Sequence, residues 1–177
     1  SVSLSSDGTK LAIAAPDNDG NGENSGHVVV YQYQTTPITV KQDGSGNFTT
    51  ITAAVDAASD GSTIIVSPGT YTENISIKDK SLTLKSSGGP ATTIIKPSNN
   101  SVPILWLKGS LDKRSTIEGF TLKDAGNQSW GDPRGSALKI NNSASATVIN
   151  VIFADADQQP FAITSGGTAG PAKLYNC

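Results

Sequence analysis

Ser62-Thr-Ile-Ile-Val-Ser-Pro-Gly-Thr-Tyr71-Thr-Glu-Asn-Ile-Ser-Ile77-Lys-Asp-Lys-Ser-Leu-Thr-Leu84-Lys-Ser-Ser-Gly-Gly-Pro90-Ala-Thr-Thr-Ile-Ile-Lys-Pro97 is the stretch whose reading decides the fold. Its apolar runs, 63–66, 75–77, 82–84 and 92–95, are short, β-branched and alternating, which suits a pleated surface with one buried face. None is long enough for a helix with a core-facing stripe. Pro68-Gly69, Lys78-Asp79-Lys80 and Ser87-Gly88-Gly89-Pro90 turn the chain every few residues. Strands this short, broken this often and without intervening helical patterns predict an all-β chain coiled into a parallel solenoid.

Further along, Ser115-Thr-Ile-Glu-Gly119-Phe-Thr-Leu122 superposes on Ala146-Thr-Val-Ile-Asn150-Val-Ile-Phe153 with Gly119 on Asn150, a step of 31 residues. Ser86 on Gly119 gives 33, and Asn150 on Asn176 gives 26. Steps of this size mark stacked supersecondary units whose length differences are absorbed in loops, the longest being 124–135. Before the first coil, Phe48, Ile51, Ala54, Val55 and Ala58 share one helical face, with Thr49 or Thr50 as N-cap. A short helix there would cover the open end of the solenoid.

The run from Lys41-Gln-Asp-Gly-Ser-Gly-Asn-Phe-Thr-Thr-Ile51 to Ala58, followed by Gly69-Thr-Tyr71-Thr-Glu73, resembles the opening of pectin methylesterases and other pectin-lyase-fold proteins. The resemblance implies a right-handed parallel β-helix with a short N-terminal capping helix. It also implies a structural role for Glu73, as the cap of a turn.

Residues 1–36 read as three strands, starting near Ser1, Lys10 and His27, and form a blade-like segment separate from a β-helix at 37–177, with the boundary near Pro37. Ser3 to Pro16 and Gly26 to Tyr31 resemble one repeat of FG-GAP-type or related β-propeller surface proteins. One blade cannot bury its own faces, so this segment needs a neighbour. Its loop, Asp17-Asn-Asp19-Gly-Asn21-Gly-Glu23, alternates oxygen side chains with glycine. Two readings stay open there. One is a Ca²⁺ site using Asp17, Asp19, Asn21 and Glu23, which matches the first half of an EF-hand loop but has Val28 where a bidentate Glu is needed. The other is a solvated hairpin loop.

The 177 residues carry a net charge of −2, with 13 Lys and Arg against 15 Asp and Glu, and show no basic stripe of the kind nucleic acid requires. The longest apolar runs fall far short of the roughly 20 residues of a membrane-spanning helix. The single cysteine, Cys177, excludes a disulfide framework. The lack of methionine and the strand-like last residues suggest a processed piece of something larger.

What the pectin methylesterase resemblance implies for chemistry is an aspartate nucleophile, a second aspartate as acid and base, and glutamines holding the oxyanion. The family's Gln-Ala-Val-Ala-Leu falls near Gly135-Ser136-Ala-Leu-Lys139, with Ser136 where glutamine is expected. Its Gln-Asp-Thr-Leu falls near Asp157-Gln158-Gln159-Pro160, with the two chemical residues in swapped order. Asp155, Asp157 and Gln158 are the remaining candidates for a local acidic site. A solvated turn is the simpler account of them. Trp130 and Tyr71 are candidates for stacking on sugar rings, whereas Trp106, between Leu105 and Leu107, reads as core.

The solenoid pattern, the surface-repeat segment before it and these mismatches favour a secreted or cell-surface β-helix without catalysis. Its role would be structural or adhesive, with polysaccharide or another surface protein as partner, or self-assembly head to tail into a filament. The rival reading is a carbohydrate-active enzyme, an esterase or lyase, of which the chain is a part.

Overall fold

The computed structural model describes residues 1–5, 10–15, 26–32, 36–108, 115–126, 136–141, 145–155, 161–164 and 172–177. The chain divides into two compact units, Ser1–Thr36 and Pro37–Cys177.

The first unit is an antiparallel sheet of β1 (Val2–Leu4), β2 (Lys10–Ala15) and β3 (His27–Gln32), in that order. Val2 lies opposite Ile13 and Ile13 opposite Val29, while Ala12 lies opposite Val30. Apolar side chains therefore occupy both faces. Val2, Leu4, Val28, Val30 and Tyr31 are all more than half exposed.

The second unit begins with β4 (Ile38–Val40) and helix α1 (Ile51–Ala57). Then come β5 (Thr63–Val66), β6 (Gly69–Thr72), β7 (Ile75–Lys78), β8 (Thr83–Ser86), β9 (Thr93–Lys96), β10 (Leu105–Lys108), β11 (Ser115–Glu118) and β12 (Thr121–Lys123). The last five strands are β13 (Leu138–Asn141), β14 (Ala146–Ile149), β15 (Ile152–Ala154), β16 (Phe161–Thr164) and β17 (Lys173–Tyr175). They form three parallel sheets, ordered β17-β14-β11-β8-β5-β4, β15-β12-β9-β6 and β16-β13-β10-β7. Each sheet takes every third strand of the repeating part of the chain, which is the signature of a parallel β-helix.

The register has the repeat read from the sequence. Thr116 sits opposite Thr83, Thr147 opposite Thr116 and Lys173 opposite Thr147, steps of 33, 31 and 26 residues. Each step stacks like on like, so that Ile64, Leu84, Ile117 and Val148 form one fully buried ladder. Tyr71, Ile95 and Leu122 form a second. Burial of each such side chain contributes about 1.5–3 kcal/mol. One corner between sheets is set by left-handed backbone at Gly119 (φ 80°), Asn150 (φ 51°) and Asn176 (φ 51°), residues brought into line by the same steps. Asn is, after Gly, among the residues best suited to that conformation, and Asn176 Nδ2 also donates to Asn150 Oδ1 across coils.

The helix forms where its apolar spacing placed it, with Ile51, Ala54 and Val55 buried. Thr50 is the N-cap, its hydroxyl accepting from Ala53 N. The second cap comes from far along the chain. The Glu73 carboxylate accepts from Ile51 N (3.0 Å), Thr52 N (2.8 Å) and the Thr52 hydroxyl (2.6 Å). Glu73 therefore caps this helix rather than a turn, and its charge faces the positive end of the helix dipole.

Candidate functional site

The sheet β7-β10-β13-β16 contains part of the first segment marked by the resemblance to pectin methylesterases, 135–139, and the strand that begins just after the second, 157–160. Ser136 lies two residues before β13, β16 begins at Phe161, and β13 and β16 are hydrogen-bonded neighbours, Leu138 opposite Phe161. Ser136 is buried, and its carbonyl accepts from Ile104 N at 3.1 Å. Residues 157–160 lie outside the described residues.

The alternation of the strands decides what this sheet shows to its outside. Leu105, Leu107, Leu138 and Ile140 are buried in the core, so the residues between them face outward. One outward row is Ser76, Trp106 and Lys139; Lys78 and Lys108 lie side by side in the next. Trp106, expected in the core, is thus on the outer surface and partly buried. Its indole N–H donates to Asn141 Oδ1 at 3.1 Å. The ammonium groups of Lys108 and Lys139 lie 4.2 and 5.0 Å from the centre of its ring, within the range of a cation–π contact. Nothing in the sequence adjoins Trp106 to Lys139; only the coil-to-coil register does.

The other site candidates are placed differently. Tyr71 is 1% exposed, and its hydroxyl donates to Ser67 O at 2.9 Å. It has no ring face to offer a sugar and is corrected to a core residue. Burial, and then the charges of Glu73 and Asp43, push its hydroxyl pKa up. Asp155 occupies a left-handed corner after β15 and pairs with Lys123 at 3.2 Å, on a different sheet from Trp106. Asp157, Gln158 and Trp130 lie outside the described residues, as do the Ca²⁺ candidates Asp17, Asp19, Asn21 and Glu23. Among the described residues no group of three acidic, histidine or cysteine side chains could hold a metal, and no helix is long and apolar enough to cross a membrane.

Comparison with known proteins adds the family. The Pectinesterase family model matches residues 37–161. The chain belongs to the pectinesterase family. Over 106 residues it is 39% identical to "Probable pectinesterase/pectinesterase inhibitor 7" of Arabidopsis thaliana, covering 55% of this chain and 17% of that protein. Over 71 residues it is 41% identical to a cell surface glycoprotein of Methanothermus fervidus, covering 37% of this chain and 12% of that one. The chain thus spans less than a fifth of these relatives. A crystal structure of a pectin methylesterase mutant in complex with hexasaccharide IV shares the fold, with a TM-score of 0.52 at 18% identity over 67% of this chain and 43% of that one.

Membership in the pectinesterase family overturns the preference for a non-catalytic structural, adhesive or filament-forming module. That preference rested on the solenoid pattern, the surface-repeat segment and the mismatched motif positions, and the match extends across the whole interval that contains those positions.

Proposed function

We propose that the chain is part of an extracellular, carbohydrate-active protein of the pectin methylesterase kind, which engages methyl-esterified acidic polysaccharide along the outer face of β7-β10-β13-β16. The observation that carries this reading is the family match over 37–161, which includes both marked segments. The pairing of β13 with β16, the strand that begins just after the second segment in the sequence, supports the choice of face, which also bears Trp106. The extracellular setting is supported by the nature of the relatives, pectinesterases and a cell surface glycoprotein.

Ester hydrolysis needs a carboxylate nucleophile and donors for the oxyanion. With Asp155 held in a corner by Lys123, Asp157 is the carboxylate this reading uses, and Gln158 beside it is the amide donor. Methanol release from esterified pectin tests this. The expected result is turnover that Asp157→Asn lowers at least a hundredfold while Asp155→Asn leaves most of it. Turnover unchanged by Asp157→Asn, or none at all, overturns the esterase assignment.

The same proposal takes residues 1–36 as a surface-repeat blade whose 17–23 loop binds Ca²⁺ through Asp17, Asp19, Asn21 and Glu23. Binding to the folded state alone would raise the melting temperature with calcium. An identical melting curve in millimolar calcium and in chelator would remove calcium from the account.

A further inference from the structure

Asn47, Asn74, Asn99, Asn127 and Asn141 each open an Asn-x-Ser/Thr sequence, the pattern to which N-linked sugar is attached. What each amide is bonded to sets them apart. Asn74 is fully engaged: Nδ2 donates to Asn99 O (3.1 Å), Val102 O (3.2 Å) and Pro103 O (3.0 Å), and Oδ1 accepts from Ser98 Oγ and Asn99 N, both at 2.7 Å. Asn141 is half-buried, and its Oδ1 accepts from the Trp106 indole. Asn47 Oδ1 is bound across the loop by the Thr39 N–H and hydroxyl. Asn127 lies outside the described residues. Asn99 differs from all of these, because its amide is bonded within its own pattern: Oδ1 accepts from Ser101 N at 2.8 Å, an Asx turn. Asn99, Asn100 and Ser101 are exposed, and Asn99 Nδ2 has no hydrogen-bond partner among the described residues.

The turn that carries Asn99, between β9 and β10, is shaped by the coils on either side of it. Asn74, just before β7 in the preceding coil, gathers Asn99 N, Asn99 O, Val102 O and Pro103 O onto one side chain. In the following coil the backbone of Gly126 abuts the Asn100 carbonyl so closely that a Cβ there would collide with it. We propose that Asn99 is an acceptor for an N-linked oligosaccharide, and that Asn74, in the same sequence pattern, builds the turn and stays unmodified in the folded protein. The donor is an oligosaccharide on a lipid pyrophosphate. A bond forms between Asn99 Nδ2 and the anomeric carbon of the first sugar as the bond from that carbon to the pyrophosphate breaks; Nδ2 gives up one proton and keeps the other, and Oδ1 keeps its bond to Ser101 N. At Asn74 the same step opposes the fold. The sugar would replace a hydrogen on a nitrogen already surrounded by three carbonyl oxygens and leave them short of a donor. This goes beyond ester hydrolysis and shares with that reading only the extracellular setting.

Expression of the full chain behind a cleavable secretion signal in a eukaryotic host, with glycopeptide mapping of the secreted, folded fraction, tests this. Enzymatic release of the sugar in heavy-oxygen water marks each asparagine that carried it. The mark is expected at Asn99 in most chains and is expected to be absent at Asn74. Ser101→Ala keeps the backbone N–H that Asn99 Oδ1 accepts from and removes only the hydroxyl that the pattern requires; it should abolish the mark at Asn99, whereas Ser101→Thr should retain it. Melting curves of both variants made without sugar in a bacterial host establish that they fold as the parent chain does. No mark at Asn99, or one that survives Ser101→Ala, overturns the proposal, and so does a mark at Asn74 in the folded fraction. Because the experiment supplies the secretory route itself, its failure leaves the extracellular setting and the esterase reading standing.

Discussion

The three-stranded sheet of residues 1–36 and the β-helix of residues 37–177 are built from the same kinds of strand residue, Val, Ile, Leu and Thr, yet they bury them differently. Among the described residues of the first, no apolar side chain is buried, and Val2, Leu4, Val28 and Val30 are 60–70% exposed. Among the described residues of the second, 26 apolar residues from Val40 to Val151 are buried, most of them completely. Composition does not separate the two. Every described strand of the β-helix pairs with at least one neighbouring coil and eight of the fourteen with one on each side, and the three sheets close on one interior. A single antiparallel sheet has two faces and nothing of its own to lay against either. Burial in such folds is a property of the repeat stack, not of the strand.

The largest effect that could break this comparison is a cavity. Leu84→Ala and Ile117→Ala remove side chains with no exposure from the middle of one ladder, and each should cost about 2–5 kcal/mol. Val30→Ala, at 60% exposure, should change stability by less than about 0.5 kcal/mol. Denaturant unfolding of the three variants measures both numbers. A loss at Val30 as large as at Leu84 would mean that the sheet of residues 1–36 is buried against something in solution.

A smaller effect is expected at the join between the end helix and the coils. Glu73 satisfies two backbone N–H groups and one hydroxyl at the start of α1. Hydrogen bonds to a charged group contribute about 1.5–3 kcal/mol, so Glu73→Ala should lower stability by that order, and Glu73→Gln by somewhat less. Hydrogen exchange should show the loss at the amides of Ile51 and Thr52 before it spreads. If exchange there is unchanged, the helix is held by its packing alone.

Smaller still is the corner at Gly119. Its φ of 80° is strained for most side chains, and an added Cβ would lie 3.4 Å from Ser86 Cβ, ordinary contact. The backbone, not space, is the constraint. Gly119→Val should therefore cost about 1–2 kcal/mol, whereas Gly119→Asn, the residue used at the same corner by Asn150 and Asn176, should cost a few tenths. Equal losses for the two would show that the corner tolerates any residue.

These positions also explain what could be read in advance. The repeat steps were visible because a coil corner leaves Gly and Asn at matching places, and the end helix because its apolar spacing is local. The Gly-Thr-Tyr-Thr-Glu-Asn segment was legible as a fold signal and misleading as a site. Tyr71 packs in the core, Glu73 caps α1, and Asn74 donates to Asn99 O, Val102 O and Pro103 O while accepting from Ser98 Oγ and Asn99 N. Two-residue alternation already held the correction for both aromatics. Thr70 and Thr72 face out, so Tyr71 faces in; Leu105 and Leu107 face in, so Trp106 faces out. The pairing of Trp106 with Lys139 was not legible, because 33 residues separate them and the register that joins them depends on loop lengths.

The smallest expected effect belongs to the ion pairs that run between coils, and its sign follows from Asp124. A hydrogen bond from Lys96, reinforced by the charges of Lys96 and Lys123, holds the Asp124 carboxyl below its usual pKa. A lowered acid pKa in the folded state means that the unfolded chain takes up the proton first as pH falls. The stabilisation is therefore complete above the unfolded carboxylate value and is lost below about pH 4. Asp43 is shifted the same way, first by the backbone N–H of Ser45 and then by its hydroxyl, so its contribution has the same sign. Asp124→Asn should thus lower the melting temperature slightly at pH 6, by a degree or two at most since the pair is solvent-screened, and not at pH 2.5. High salt should shrink the pH 6 difference. A difference between wild type and Asp124→Asn that stays constant from pH 6 to pH 2.5 would show that Asp124 acts through the corner's backbone and not through its charge.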